Sequence, residues 1–267
     1  MNFTNETVTR VALGEPSRNT VERVLPIRGT SVHHRGTVNG LEPGRKKQLR
    51  LLGLLLSNLY RNFISSEHLA DLRKSGLTDE TIQAHSVRSV PPWMITGLLG
   101  FDPSYVQSAL LFPFLAAGGG FINHIRVKVF GTQAACKDRP KYLQPKGAPP
   151  RIYFTVPALQ KLENQEPLWC VEGEKKALAV AQLGLPAIGF SGIHGWHSQR
   201  HRDLLPDFDF IQLQDRIVEL VPDGDWKTNP HVERGANGLA FALRARGARV
   251  RLVDLSSELK TNGKDRD

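Results

Sequence analysis

From Leu168 onward short apolar runs alternate with helical stretches, and this alternation restricts the fold more than any other feature of the chain. "LWCVE" (168–172) is a short strand. "EKKALAVAQLG" (174–184) is a helix, with Ala177, Leu178, Ala181 and Leu183 available to pack and Gly184 at its end. "PAIGF" is a second strand, and after a loop and a weak helix "RIVELVPD" is a third. In "NPHVERGANGLAFALRARG", Val232, Ala236, Leu239, Ala240 and Leu243 share one stripe; Pro230 suits the first turn and Gly247 the end. "ARVRLVDL" is a fourth strand. Strands that alternate with helices must be joined by crossovers, so they build a mostly parallel sheet with helices on its faces.

Upstream the pattern differs. Residues 1–48 carry no sustained periodicity and are rich in Arg, Thr, Gly and Asn, which reads as a flexible basic leader. Its pair His33-His34 has no further ligands nearby in sequence and reads as solvated loop. Helical patterning runs from about Lys47 to Phe63. Ser65 or Ser66 caps a second helix closed by Gly76; Thr78 opens a third, with Pro91 and Pro92 as its stop. A β-rich stretch covers about Leu110 to Phe154. Within it "HIRVKVF" puts Ile125, Val127 and Val129 on one face and His124, Arg126 and Lys128 on the other, a half-buried strand with a basic outer face. The expected organisation is a leader (1–48), an α+β region (49–160) and an α/β domain (161–267).

The formal net charge of +9 over 267 residues fits either a polyanionic partner or a solvated basic surface. No apolar run approaches the ~18 residues of a membrane span. The N-terminus lacks the charged-then-apolar layout of a secretion signal, so the expected location is the cytoplasm. Two cysteines, Cys136 and Cys170, are too few for a disulfide framework or a cysteine-rich zinc site. The phosphate-loop motif of ATPase motors is missing, and His194 and His197 have no nucleophile for a hydrolytic triad. Trp196, between them, either stacks on a base or packs internally.

In a sheet of this kind function gathers at the carboxyl ends of the strands. Glu172 ends the first strand, before Gly173, and Asp223-Gly224-Asp225 ends the third. Two aspartates two positions apart point the same way in extended chain. If the strands are neighbours, three carboxylates converge and repel unless a cation sits among them; oxygen ligands suit Mg²⁺ or Mn²⁺. The alternatives are structural. Glu172 or Glu174 can serve the helix N-terminus, a role that suits Glu174 better, and Asp-Gly-Asp is a common turn sequence. Lys175, Lys176 and Lys227, with Arg126, Lys128 and Lys141 upstream, either meet phosphate or are exposed cations.

"VEGEKKALAVAQLGLPAIGFSGIHGW", "VPDGDWKTNPHV" and "LRARGARVRLVDL" together resemble TOPRIM domains. They are most similar to a TOPRIM-like family (domain of unknown function 3854) of primase and helicase replication proteins from plasmids, phages and integrative elements. "HLADLRKSGLTDETI" and "KYLQPKG" extend the resemblance over residues 64–267. It implies a TOPRIM-like α/β domain, with Glu172 as acid/base or metal-linked residue and Asp223 and Asp225 as the Mg²⁺ pair. "TNGKDRD" would bring Asp265, and with it Asp267, near the site. The activity implied is primase-like nucleotidyl transfer in DNA replication, with single-stranded DNA, nucleotides and a replicative helicase as partners. A non-catalytic DNA-binding or recruitment module and a nuclease are the alternatives. Lys176 departs from the pattern, since bacterial primases usually carry an aspartate there.

Overall fold

The computed structural model describes residues 42–132, 137–198 and 203–254. The leader as far as residue 41, with His33 and His34, and also Cys136, Asp265 and Asp267, lie outside the described residues. Helix α1 (Pro43–Leu55) starts on a proline whose missing N–H costs nothing in a first turn. It therefore begins inside the stretch read as leader, and it ends earlier than the pattern suggested, in a 3₁₀ turn at Asn58–Tyr60. Helices α2 (Ser66–Lys74) and α3 (Asp79–Ala84) are capped by Ser65 and Thr78, which accept the N–H of His68 and Thr81. The Pro91-Pro92 pair does not stop α3, which has already ended. A short strand β1 (Arg88–Val90) intervenes, and Pro92 opens helix α4 (Pro92–Leu99). The same property that makes proline a helix breaker in the interior makes it a good first residue.

The first sheet is antiparallel, in the order β1, β2 (Ser108–Leu115), β3 (Phe121–Phe130) and β4 (Tyr142–Leu143). Strand β2, "SALLFPFL", is apolar after Ser108 because both its faces are covered. Ala109 and Leu111 pack with Ile125 and Val127 against Leu52, Leu55, Met94 and Leu98 of α1 and α4. Leu110, Phe112 and Phe114 point the other way, against Leu72, Ile82, Ala177 and Leu178. Complete burial of a side chain such as Phe112 contributes about 1.5–3 kcal/mol.

The second sheet has the order β5 (Tyr153–Phe154), β7 (Ala187–Phe190), β6 (Leu168–Glu172), β8 (Ile217–Val221) and β9 (Arg249–Leu252). Strands β6 to β9 are mutually parallel and β5 is an antiparallel edge. That edge strand lies upstream of residue 161, so the sheet recruits chain from before the expected boundary. Helix α5 (Val156–Gln160) follows it, capped by Thr155. Helices α6 (Glu174–Ala181) and α7 (Pro230–Ala245) cover opposite faces. Cys170, Ile188, Val218 and Leu220 meet α7 through Ala236, Leu239 and Leu243, whereas Val171 and Val221 share a cluster with Leu178 of α6 and Phe112 of β2. Helix α6 is thus enclosed between the two sheets.

This enclosure changes the reading of β3. Its basic face is not an outer face: His124 is buried, and Arg126 and Lys128 point toward α6 and α2, where they meet carboxylates. Alternation predicts which residues share a face; it carries no information on whether a second layer covers it.

Candidate functional site

Strands β6 and β8 are direct neighbours, with Val171 opposite Val221, so Glu172 and Asp223 leave the sheet at the same edge. Gly173 makes the exit possible. Its φ of 91° and ψ of 156° fall where side-chain-bearing residues scarcely go, and its N–H donates to the Phe190 carbonyl at 2.8 Å. The turn is tight on the next strand as well: a Cβ at Gly189 would lie 3.0 Å from the Gly173 carbonyl oxygen.

Glu172 is half-buried, accepts the N–H of Ile193, and has one carboxylate oxygen, Oε2, buried without a hydrogen-bond partner among the described residues. Burial pushes its carboxyl above the usual range, and the neighbouring Asp223 pushes it further, while Lys176 pulls it back. Asp223 is in turn ion-paired with Lys176, whose ammonium sits on Oδ1. A carboxyl pair and a single ammonium therefore stand at the mouth of a cleft of about 400 Å³, lined also by Arg126, Tyr142, Glu174 and Lys175.

Asp225 is positioned by a turn and not by extended chain. The chain leaves extended conformation directly after β8: the Trp226 N–H donates to the Asp223 carbonyl, and those of Thr228 and Asn229 to the Asp225 carbonyl. In this turn the Asp225 carboxylate accepts from the Asn229 side chain at 2.9 Å. The extended conformation that would point the two aspartates the same way therefore ends at Asp223. Among the described residues no group of three His, Cys, Asp or Glu side chains is arranged to hold a metal ion.

Glu174 begins α6 as expected and does more. It is 2% exposed, and Arg126 of β3 donates to both its oxygens, at 3.1 and 3.3 Å. Burial raises its carboxyl and Arg126 opposes the rise. The guanidinium also lies 4.9 Å from the ring centre of Tyr142, whose hydroxyl burial pushes up to about 12. Lys175 and Lys128 converge on Asp71 of α2, Lys175 at 3.0 Å. Burial alone would raise the Asp71 carboxyl, but the two lysines hold it below the usual range. Lys227 pairs with Asp254, and Lys141 is exposed.

Of the cations expected to meet phosphate, all except Lys141 have carboxylate partners in the fold. Two of these acids, Glu174 and Asp223, belong to the quoted motifs; the other two, Asp71 and Asp254, carry no motif, so nothing in the pattern marks them as partners. Trp196 packs internally: it is buried, and a Cβ on Gly238 of α7 would lie 3.1 Å from its ring. His194 lies 4.4 Å, ring to ring, from His231, its basicity lowered first by burial.

Residues 160–266 match the family described as Domain of unknown function (DUF3854). The match begins well downstream of residue 64, so the upstream segments that carried the resemblance fall outside it. No curated protein sequence matches the chain. A DnaG primase catalytic domain bound to ssDNA superposes with a TM-score of 0.53 at 18% identity, over 83% of this chain and 79% of that one. The Aquifex aeolicus primase (zinc binding and RNA polymerase domains) gives 0.54 at 12% identity, over 85% of this chain and 60% of its own. The fold resembles that of a primase catalytic core. At such low identities the likeness is one of architecture; the chemistry has to be argued from the side chains.

Proposed function

We propose that this chain is a primase-like nucleotidyltransferase that acts on single-stranded DNA with Mg²⁺ or Mn²⁺, in the replication of a mobile genetic element. The observation that carries the reading is the Glu172–Asp223 carboxyl pair at the ends of two adjacent parallel strands, opening on a cleft that Arg126, Lys175 and Lys176 also line. Two like charges at one sheet edge, one of them with an unbonded buried oxygen, fit a divalent cation better than they fit each other. Glu172 and Asp223 would hold the ion, with Asp225 and Asp265 as candidates for completing the set. When bound, such an ion binds phosphate oxygens and activates a nucleophilic oxygen.

The remaining chemistry belongs to the protein. In primer synthesis a sugar hydroxyl attacks the α-phosphorus of a nucleoside triphosphate, pyrophosphate leaves, and the hydroxyl proton must be taken up. Glu172, at the strand end beside Asp223, is the group placed to hold that proton where Asp223 carries the ion without it. Arg126, Lys175 and Lys176 line the cleft, Lys128 joins Lys175 on Asp71, and Lys227 and Lys141 extend the set of cations for a phosphate backbone. A replicative helicase as partner follows from the family resemblance; among the described residues no helix is long and apolar enough to cross a membrane. The module reading, in which the fold only binds DNA, is favoured by one observation: the ammonium of Lys176 already occupies Asp223. A nuclease would use the same carboxyl pair.

The test is extension of ribonucleotides on single-stranded DNA by the full chain, with Mg²⁺ or Mn²⁺. Products are expected from the native protein and from a surface control, Phe241→Ser, and none from Asp223→Ala or Glu172→Gln. DNA binding without product, unaffected by Asp223→Ala, would establish the binding module. Cleavage of the strand in place of extension would establish the nuclease.

A further inference from the structure

The Lys176–Asp223 contact joins two sites expected to have opposite roles, one to meet phosphate and one to meet a metal. Lys176 lies in the first turn of α6, where a cation is opposed by the helix dipole and needs compensation nearby. Asp223 provides it. With Glu172 and Asp223 ionised and Lys176 attached, the site carries one net negative charge; without the lysine it carries two. The pair is also open to water: the Lys176 side chain is 54% exposed and that of Asp223 38%. An ion pair this exposed is held weakly and can be exchanged.

We infer that Lys176 is a displaceable counter-ion, resting on Asp223 while the site is free of divalent metal and leaving it when the metal enters. This rests on the proposed metal site and deepens it. Metal entry and release of an ammonium into the cleft become one event. The freed lysine then faces the space where the phosphates of a nucleotide would lie, beside Arg126 and Lys175. Such an exchange makes the empty site tolerable to the fold, since two carboxyl groups need not face each other unneutralised. It also lowers metal affinity, because the ion must displace a bound cation.

The test is calorimetric titration of Mn²⁺ into the full chain at fixed ionic strength, for the native protein, Lys176→Met, Lys176→Glu and Asp223→Asn. Thermal melts check that each variant is folded. Methionine keeps most of the apolar stem and removes the charge, so Lys176→Met is expected to bind Mn²⁺ about tenfold more tightly, the order expected for removing one unit charge some 5 Å from a divalent ion in water. Lys176→Glu adds a third carboxylate and is expected to bind more tightly still. Asp223→Asn is expected to weaken binding at least tenfold. Unchanged or weaker binding by Lys176→Met, with Asp223→Asn still damaging, would overturn the exchange and leave the proposed metal site standing. Absence of Mn²⁺ binding in every protein tested would overturn both.

Discussion

Glu174 and Arg126 connect the two sheets, and severing that connection is the most direct test of the architecture around the site. The glutamate opens α6 beneath the second sheet and the arginine comes from the middle of the first, so neither sheet alone satisfies either charge. At 3.1 Å and an effective dielectric constant of about 20 their attraction is on the order of 5 kcal/mol, set against the cost of taking both charges out of water. Removing one partner leaves the other buried and unpaired, which costs about 3–5 kcal/mol. For a protein of this size that is a fall in Tm of roughly 6–20 °C. Glu174→Gln and Arg126→Met are each expected to show it in urea or thermal unfolding. The double variant is expected to lose much less than the sum, because no lone charge remains. The pH dependence has a definite sign. The folded-state carboxyl of Glu174 is raised above its unfolded value of 4.5, so the folded form holds a proton that the unfolded chain has released. Stability therefore falls as pH rises from about 4.5 through the folded pKa, and then levels. Arg126→Met is expected to steepen that fall and Glu174→Gln to abolish it. Strictly additive losses of less than about 1 kcal/mol each, insensitive to pH, would refute the bridge.

Other outcomes follow from single residues. Arg216 is fully buried and donates to the carbonyls of Lys161, Leu162 and Glu166 at 2.8–3.0 Å; Arg216→Met is expected to lower stability by about 3 kcal/mol or more in urea unfolding, since three acceptors lose their donor together. His124 is buried, with burial holding its pKa down to about 4 against 6.5 in the unfolded chain. The unfolded chain therefore takes up its proton first on acidification, and about 3 kcal/mol of stability is expected to be lost as pH falls from 6.5 to 4. His124→Leu should flatten that limb of a pH–stability profile. Gly173→Ala places a side chain at φ 91° and is expected to cost about 1–3 kcal/mol by thermal melt, and to disturb Glu172 enough to reduce any metal-dependent activity.

The periodicity of the chain was sufficient for much of the fold. The strand–helix alternation after Leu168 is local information, and each of the four strands and the two long helices stands where it was expected. Helix caps at Ser65 and Thr78 were legible for the same reason: a cap is an interaction over three residues. Glu172 at a strand end, followed by a glycine in a turn, was equally legible, because strand ends and glycine conformations are local properties. The proline pair at 91–92 opens a helix and does not end one, because proline is excluded only from helix interiors and nothing local distinguishes a stop from a start.

What lay beyond the sequence is everything that depends on which face is covered. The basic side of β3 became interior once α6 and α2 were laid over it, and its cations turned to Glu174 and Asp71, partners 48 and 57 residues away. Asp223 and Asp225 were expected to act together from a spacing that holds in extended chain; three backbone hydrogen bonds turned the chain and gave Asp225 to Asn229. By itself the sequence determined the elements and the charges they carry, because hydrogen bonding and side-chain periodicity operate within a few residues. Only the tertiary structure decided which charges meet. Ion pairing depends on distance in space, and the order β5-β7-β6-β8-β9, which places Lys176 against Asp223, is set by packing of the whole chain.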